Sequence, residues 1–405
     1  MLKSSEPMQP PLQGLRILEL TTVMLGPFAA QMLADYGADV IKIEAPEGDS
    51  TRRTGPTTEQ GMAATFMGAN RNKRSIVLDL KHVDAREALL KLIDSADVLL
   101  YSMRPQKLKS LGLAPEVMRE RNPQLIVVGI HGFANGGPYE GRPAYDDIIQ
   151  GMSGLASLSE LKGQEPSYLP TVVADKVCGV FATQAVLMAV VARARDGHGS
   201  FVEVPMFETM THFTLIEHFY GQHFRPPLSE PGYPRMLTPW RRPYQTQDGY
   251  VCIIPYTDAH WQQFFKAVGQ SELLNDPRFQ GLAARTKNID ALYAALAAHV
   301  RTHSTAYWLE TCNALDIPNA PYNRLSDLEQ DPQLAASGFF QEMQDPHMGT
   351  LVTPAAPLRF ESDSITPRFP PRLGQHSREV LQEIGLDETT ITRMMNNGSL
   401  IQSPH

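Results

Sequence analysis

An acidic residue in an apolar setting offers the most direct chemistry in this sequence. Asp175 follows a short β-branched run, residues 171–173, and precedes a long apolar run, residues 177–192. A carboxylate in that position can cap the N–H groups at the start of a helix and interact favourably with the helix dipole. It can also act as a nucleophile, since carboxylates form covalent intermediates in several classes of enzyme. The spacing alone favours the cap and leaves catalysis open.

Basic side chains occur near the ends of predicted strands. Residues 70–74 (NRNKR) precede the strand SIVLDL, Lys81 follows it, and Arg104 follows the strand DVLLY. Arg142 lies in the loop before Tyr145. Arginine can bind phosphate through two parallel hydrogen bonds, and ligands of α/β folds bind at strand ends. Together these residues predict a site for a phosphate-bearing ligand, although a single loop arginine is more often simply solvated.

Several common catalytic motifs are missing from the sequence. The first strand–helix turn, residues 21–27, lacks G-x-G-x-x-G, so a bound NAD is not supported. There is also no P-loop, no H-E-x-x-H and no G-x-S-x-G. The twelve histidines show no metal-ligand spacing, which predicts no metal site.

The bulk composition limits the class of protein. The chain has 405 residues and a net charge of −8, which argues against a nucleic-acid partner. Its three cysteines are odd in number and far apart, which fits neither a disulfide framework nor a zinc site. Residues 1–14 lack the apolar segment of a signal peptide, and the run 177–192 is shorter than a membrane span. We therefore expect a cytoplasmic protein without a membrane partner, in which residues 177–192 form a buried core helix.

Strands and helices alternate through the first half of the chain, which predicts an α/β fold with a Rossmann-like, mainly parallel sheet. The strands are predicted at residues 15–20, 38–44, 75–80, 97–101, 124–129 and 201–204. The helices are predicted at about residues 26–36, 84–95, 145–155 and 177–192.

A smaller α+β domain is predicted in the second half. Asp248-Gly249 lies between two candidate short strands, residues 244–247 and 250–255, and is a strong hairpin signal. Helices are expected after it at about 258–268, 289–302 and 304–314. The predicted organisation is residues 1–222 for the N-terminal part of the large domain, 223–235 for a linker, 236–330 for the small domain, 331–350 for a second linker, and 351–405 for the part returning to the large domain.

Taken together, these stretches resemble the class III coenzyme A transferases (CaiB/BaiF type), the family of formyl-CoA:oxalate and carnitine CoA-transferases. The segments that carry the resemblance are residues 12–52, 70–81 (NRNKRSIVLDLK), 101–112 (YSMRPQKLKSLG), 131–154 (HGFANGGPYEGRPAYDDIIQGMSG) and the segment around Asp175. The resemblance implies an enzyme that moves CoA from an acyl-CoA donor to a carboxylic acid acceptor. It also implies a homodimer of two interlocked chains, with CoA and acyl-CoA as substrates and no tightly bound cofactor.

The resemblance also implies particular site residues. Asp175 would be the nucleophile that carries CoA as an aspartyl thioester, and N–H groups at the start of the following helix could stabilise developing negative charge. The implied CoA contacts are Val23, Met24, Leu78, Asp79, Leu80, Lys81, Ser102, Met103, Arg104 and Arg142.

Two departures from the formyl-CoA transferases bear on the substrate. Those enzymes carry a glutamine where this chain has Met24, and a glycine run before the small-domain hairpin that is absent here. An oxalate-specific enzyme is therefore disfavoured. Arg235, Arg241 and Arg242 could instead bind the free carboxylate of a dicarboxylic acid such as succinate, although loop arginines are usually solvated.

Two alternatives remain open. An α-methylacyl-CoA racemase needs a histidine base in a motif whose position falls on Tyr145, and tyrosine is a poor base for an α-proton at neutral pH. A non-catalytic acyl-CoA binding protein is harder to separate, but Asp175 argues against it.

Overall fold

The computed structural model describes residues 9–361 and 366–403. The chain forms two compact units. The larger unit contains the described residues up to 153, residues 169–212 and those from 335 onward. The smaller unit contains residues 154–168 and 213–334. The domain boundaries expected from the sequence stay a prediction. That prediction did not assign residues 154–168 to the smaller unit.

The strands of the described chain are β1 (Arg16–Leu20), β2 (Asp39–Glu44), β3 (Arg74–Leu78), β4 (Val98–Tyr101), β5 (Ile126–His131), β6 (Phe201–Pro205), β7 (Tyr244–Gln245), β8 (Tyr250–Ile253), β9 (Asn319–Pro321), β10 (Phe340–Asp345), β11 (Gly349–Pro354) and β12 (Leu400–Ile401).

The helices are α1 (Leu25–Ala34), α2 (Ala64–Met67), α3 (Val83–Asp94), α4 (Pro105–Ser110), α5 (Pro115–Arg121), α6 (Asp146–Met152), α7 (Ser157–Leu161), α8 (Val173–Asp196), α9 (Met206–His218), α10 (Pro234–Leu237), α11 (Asp258–Ala267), α12 (Gly281–Lys287), α13 (Ile289–Val300), α14 (Thr305–Ala314), α15 (Pro332–Ala336), α16 (Ser377–Glu383) and α17 (Glu388–Asn396).

A seven-stranded sheet forms the centre of the larger unit. Its strand order is β12-β3-β2-β1-β4-β5-β6, and every pairing is parallel except that of β12 with β3. All six strands expected from the sequence are present, so the α/β fold and its mainly parallel sheet are confirmed. Strands such as β5 read as continuous apolar runs because helices cover both faces of a parallel sheet.

The strand order reverses between β1 and β4. From β1 the chain adds β2 and then β3 on one side of the sheet. It then returns to place β4 on the other side of β1. In open α/β sheets such a switch point leaves a crevice at the carboxyl ends of the two strands, where ligands bind. The loops after Leu20 and Tyr101 therefore border the crevice in which a ligand is expected.

Helix α8 is only partly a core helix. Its buried face carries small residues such as Ala174, Cys178 and Ala182, and the Thr183 hydroxyl donates to the Ala29 carbonyl of α1 at 3.3 Å. The opposite face exposes Val180, Leu187, Met188 and Val191. The expectation that residues 177–192 form a buried core helix therefore holds for only one face of α8. Its length of 24 residues would let it cross a membrane by length and composition alone, although its packing on α1 is that of a helix in a folded domain.

The smaller unit has its own sheet and aromatic core. Strands β7, β8 and β9 form an antiparallel sheet, and β7 and β8 are the two arms of the hairpin predicted around Asp248-Gly249. The three helices expected after the hairpin are α11, α13 and α14. The core of this unit includes Trp261, Phe264 and Trp308.

Candidate active site

Asp175 lies in the first turn of α8, but it does not cap the helix. The N-cap residue is Val172, and no side chain accepts a hydrogen bond there. The Asp175 side chain is 8% exposed. The helix-cap interpretation, which the sequence spacing favoured, is therefore wrong, and this buried carboxylate has no capping role to explain it.

A second buried carboxylate holds the backbone at this position. The Asp175 N–H donates to Asp146 Oδ1 at 3.1 Å, and Gln150 Nε2 donates to Asp146 Oδ2 at 2.6 Å. Gln150 Oε1 in turn accepts from the Leu169 N–H at 2.9 Å. Asp146 and Gln150 are four residues apart in α6, so their side chains share one face of that helix. The Asp175 amide is thus already satisfied. The expectation that N–H groups at the start of the following helix stabilise developing charge stays a prediction.

The electrostatic setting favours the protonated form of Asp175. Burial raises the pKa of Asp175 to about 7, and the negative charges of Asp146 and Asp147 add to the rise. Within the described chain no cation forms an ion pair with Asp175. The neighbouring Lys176 is exposed and donates instead to the Thr171 hydroxyl at 2.7 Å. A buried, unpaired carboxyl with a pKa near neutrality is typical of functional sites.

Asp175 opens onto a cavity of about 250 Å³. The cavity lies at the carboxyl ends of β1, β4 and β5, so it occupies the switch point of the sheet. The CoA contacts implied by the resemblance that line this cavity are Val23, Met24, Ser102, Arg104 and Arg142.

A second cavity of about 310 Å³ lies next to the first, and Thr22 and Ser102 line both. The remaining implied CoA contacts line this second cavity; they are Leu78, Asp79, Leu80, Lys81 and Met103. The structure therefore brings every residue of the sequence-predicted site to two adjoining cavities at one edge of the sheet. Their roles in binding CoA stay a prediction.

The loop after β1 approaches the site in a strained conformation. Val23 has a φ of 71°, which is unusual for a β-branched residue, and its N–H donates to the Asp49 carboxylate at 3.2 Å. A Cβ on Gly26 would come within 2.2 Å of Thr21, so only glycine permits this close turn. Strain of this kind persists only where surrounding contacts hold it, and it is common at binding sites.

The basic run at residues 70–74 does not belong to the site. Lys73 pairs with Glu19 at 2.8 Å, Arg71 pairs with Asp35 at 2.6 Å, and the Arg74 guanidinium pairs with both Asp39 and Glu383. The run precedes β3 and therefore lies at its amino end, whereas the cavities lie at the carboxyl ends of the strands. Its prediction as a ligand site is wrong because these charges hold the sheet and its helices together.

His131 is a site residue that the sequence reasoning missed. It is the last residue of β5, lines the same cavity as Asp175, and is buried with no hydrogen-bond partner for Nε2 in the described chain. Burial lowers the pKa of His131 to about 4, so the ring is neutral. Its ring meets Tyr101 edge-on with centroids 5.3 Å apart. No sequence signal pointed to it, because the strand predicted from the sequence ended at Gly129.

Comparison with known proteins agrees with this geometry. Residues 12–377 match the family model described as CoA-transferase family III. The chain is 31% identical to the succinate–glutarate CoA-transferase of Agrobacterium fabrum, over 95% of this chain and 98% of that protein. It is 30% identical to the succinyl-CoA:glutarate CoA-transferase of Mus musculus, over 97% and 91% of the two chains.

A solved structure with the same fold is that of a CaiB/BaiF family protein from Brucella suis. It has a TM-score of 0.78 and 31% identity, and the match covers 93% of this chain and all of that one (100%). The chain belongs to CoA-transferase family III, and the protein is a CoA-transferase. The transferase interpretation is therefore confirmed at the level of the family.

Proposed function

We propose that this enzyme carries CoA from an acyl-CoA donor to a carboxylic acid acceptor as a thioester on Asp175. The observation that supports this most strongly is the setting of Asp175 itself. Its carboxyl is buried and lacks a cationic partner in the described chain. It also lines a cavity together with the residues implied to bind CoA.

The proposed reaction balances in two exchanges. The Asp175 carboxylate attacks the donor thioester carbonyl, which forms a mixed anhydride and releases the CoA thiolate. The thiolate then attacks the aspartyl carbonyl, which forms the aspartyl-CoA thioester and releases the donor acid. The acceptor carboxylate then attacks the aspartyl-CoA thioester, which forms a second mixed anhydride and releases the CoA thiolate. The thiolate attacks the acceptor's carbonyl in that anhydride, which releases the acyl-CoA of the acceptor and regenerates the Asp175 carboxylate.

The cavity suits this sequence of steps for two reasons. Burial of Asp175 limits the access of water, which would hydrolyse both the anhydride and the thioester. A desolvated carboxylate is also less stabilised than one in water, so its charge is more readily given up to a carbonyl carbon. The raised pKa means that the nucleophilic form becomes dominant only above about pH 7 in the unliganded protein.

A dicarboxylate is proposed as one of the substrates. The Agrobacterium fabrum relative is named for succinate and glutarate, and the Mus musculus relative for succinyl-CoA and glutarate. A relative from Chloroflexus aurantiacus, 29% identical over 92% of this chain, is named for succinyl-CoA and L-malate. In this proposal CoA and acyl-CoA are substrates, and the chemistry needs no tightly bound cofactor. The proposed location of the enzyme is the cytoplasm.

The expected homodimer has support from the exposed face of α8. Val180, Met188 and Val191 lie on one side of that helix and are between 51% and 70% exposed. Apolar surface of this kind is typically covered by a partner. Light scattering after size exclusion should give twice the chain mass of 44.9 kDa. A monomer at micromolar concentration would contradict this part of the proposal.

Transfer assays with paired variants test the function. Asp175→Asn should lower CoA transfer between succinyl-CoA and glutarate by at least about 10⁴-fold, because the amide cannot form the intermediate. Asp147→Asn is the matched control, since Asp147 is an exposed neighbour on α6 and should retain most activity. Undiminished transfer by Asp175→Asn would refute the assignment. Exchange of the α-proton of a 2-methylacyl-CoA with deuterium, without transfer, would favour the racemase.

A further inference from the structure

Four charged side chains are completely buried beside the β1–α1 loop, residues 21–24. The acids are Glu19 and Asp49, and the bases are Lys42 and Lys73. Lys42 pairs with both acids, at 3.0 Å and 3.1 Å, and Lys73 pairs with Glu19 at 2.8 Å. Removing one partner from such a network is costly, but replacing the whole network by apolar side chains is often neutral or stabilising. Stability alone therefore does not explain why four charges are buried here.

The two lysines bind the backbone at the beginning of the loop and just beyond its end. Lys42 Nζ donates to the Thr21 carbonyl at 3.0 Å, and Lys73 Nζ donates at 2.8 Å to the Pro27 carbonyl in the first turn of α1. Hydrogen bonds from a charged donor are stronger than those between neutral groups. The stretch between these two points lines the cavity onto which Asp175 opens. The lysines therefore fix the position of one wall of that cavity.

Asp49 binds the middle of the loop, where the backbone conformation is least favourable. Val23 has a φ of 71°, and this left-handed conformation is rare for a β-branched residue. The Val23 N–H donates to both carboxylate oxygens of Asp49 at 3.2 Å. A backbone outlier of this kind costs free energy and persists only where neighbouring groups hold it in place. The contact with Asp49 therefore keeps Val23 in a conformation that a free loop would leave.

Only a carboxylate can make all the contacts of Asp49. Besides binding Val23, its Oδ1 accepts from the N–H and the hydroxyl of Thr51 at 3.0 Å and 2.7 Å, and its Oδ2 pairs with Lys42. Burial would raise the pKa of Asp49, but Lys42 and the hydrogen bonds from Thr51 hold it below its usual value. An asparagine amide has one accepting oxygen, and its NH₂ group can only donate. In either orientation it would turn a donor toward Thr51 or Lys42.

We propose that Asp49 is a positioning residue for CoA, because it holds Val23 in the conformation that shapes the cavity wall on which the ligand binds. Asp49 borders the second cavity, but its side chain has no exposed surface, so it acts through the loop and not on the ligand itself. This inference rests on the proposed function, since it takes CoA to be the ligand of the two cavities. It assigns a role in substrate binding to the buried charges beside β1.

Calorimetric titration with free CoA measures this role without turnover. Asp49→Asn should bind CoA about tenfold more weakly than the wild type or worse, because its loop spends less time in the binding conformation. Asp35→Asn is the matched control, since the Asp35 side chain is also buried and pairs with Arg71 at 2.6 Å but lines neither cavity. It should lose stability and keep the CoA affinity of the wild type. Wild-type affinity in Asp49→Asn, or equal weakening in both variants, would overturn the proposal.

Replacing Val23 by glycine tests whether Asp49 acts through the strained backbone. Glycine adopts a φ of 71° without steric cost, so the loop then depends less on Asp49. Asp49→Asn should therefore reduce CoA affinity by a smaller factor, about threefold or less, when Val23→Gly is already present. Equal factors in the two backgrounds would show that Asp49 does not act through Val23 and would overturn the proposal.

A milder variant gives an answer even if Asp49→Asn does not fold. Thr51→Val keeps the Asp49 charge but removes the hydroxyl that donates to its Oδ1. It should weaken CoA binding about twofold or more, and unchanged affinity would contradict the proposal.

The inference and the proposed function fail separately. Unchanged CoA affinity in Asp49→Asn, together with a CoA adduct on Asp175, would refute this inference alone. CoA binding that depends on Asp49, without an adduct on Asp175, would refute only the proposed thioester. Absence of CoA binding to the wild-type protein would overturn the positioning role as well.

Discussion

The larger unit buries two groups of carboxylates, and they differ in how their charge is balanced. Near β1 and β2, Glu19 lies between Lys42 at 3.0 Å and Lys73 at 2.8 Å, and Asp49 pairs with Lys42 at 3.1 Å. At the start of α8, Asp175 has no cation beside it in the described chain, and its backbone is held by another carboxylate. The lysines stabilise the charged form of Glu19 and Asp49, whereas the setting of Asp175 favours its neutral form.

The pKa directions follow from this difference. Burial by itself would raise the pKa of Glu19, but the charges of Lys42 and Lys73 outweigh it and hold the pKa below its usual value. For Asp175, burial raises the pKa and the neighbouring acids raise it further. Burial alone therefore does not make a carboxylate reactive. What distinguishes the site is burial without a paired cation, which stability alone would not favour.

Removing the negative charge from the balanced group should produce the largest effect on stability. Glu19→Gln leaves two fully buried lysines facing the single carboxylate of Asp49, and breaking such a network costs about 3–5 kcal/mol of unfolding free energy. Urea unfolding measures this cost. Arg121→Gln is the control, because its pair with Asp94 is partly exposed and should be worth less than about 1 kcal/mol. Similar losses of unfolding free energy in the two variants would contradict the view that the buried lysines and Glu19 form a strongly stabilising network.

The strands and the loops that follow them could be predicted because they depend on local pattern. The role of Asp175 was implied only by the family resemblance, since the spacing around it favoured a helix cap. Apolar runs bounded by turns mark the strands, and the residues that follow them line the cavities. The ion pairs of the basic run, residues 70–74, could not be predicted in this way. Lys73 and Arg71 look available in the sequence, and their partners Glu19 and Asp35 lie far away along the chain. Only the fold brings those charges together.

The same limit applies inside the site. Asp146 is an ordinary first-turn acid in the sequence, and its contact with the Asp175 amide depends on how α6 and α8 pack. His131 ends a strand that looked complete two residues earlier. Its ring packs edge-on against Tyr101 of the neighbouring strand, and no spacing within the sequence would reveal that contact or the burial of Nε2.

Neutralising the unbalanced group should have the opposite effect on stability. The folded-state pKa of Asp175, about 7, lies above its ordinary value of 3.8, so the wild type loses stability as the pH rises from about 4 through 7. Asp175→Asn removes this loss. Its gain in unfolding free energy over the wild type should be roughly 2 kcal/mol larger at about pH 8 than at about pH 5. Urea unfolding at both pH values checks this, and a gain that does not depend on pH would contradict the raised pKa.

The smallest expected effect concerns the acid that raises the pKa of Asp175. Asp146→Asn removes a negative charge near the nucleophile but keeps an oxygen that can accept the Asp175 N–H. The pKa of Asp175 should fall, and the acidic limb of the kcat/KM profile should move down by about one pH unit. Asp147→Asn, the exposed neighbour, should shift it less. An acidic limb that stays in place would mean that another group controls it.

Peptide mapping after a brief incubation with succinyl-CoA tests the central claim most directly. Acid-quenched wild-type protein should carry CoA as a hydroxylamine-sensitive thioester on the peptide that contains Asp175, and glutarate added before the quench should discharge it as glutaryl-CoA. Asp175→Asn should show no such adduct. Efficient transfer with no adduct at Asp175, or with the CoA thioester on a different carboxylate such as the nearby Asp146, would contradict the account.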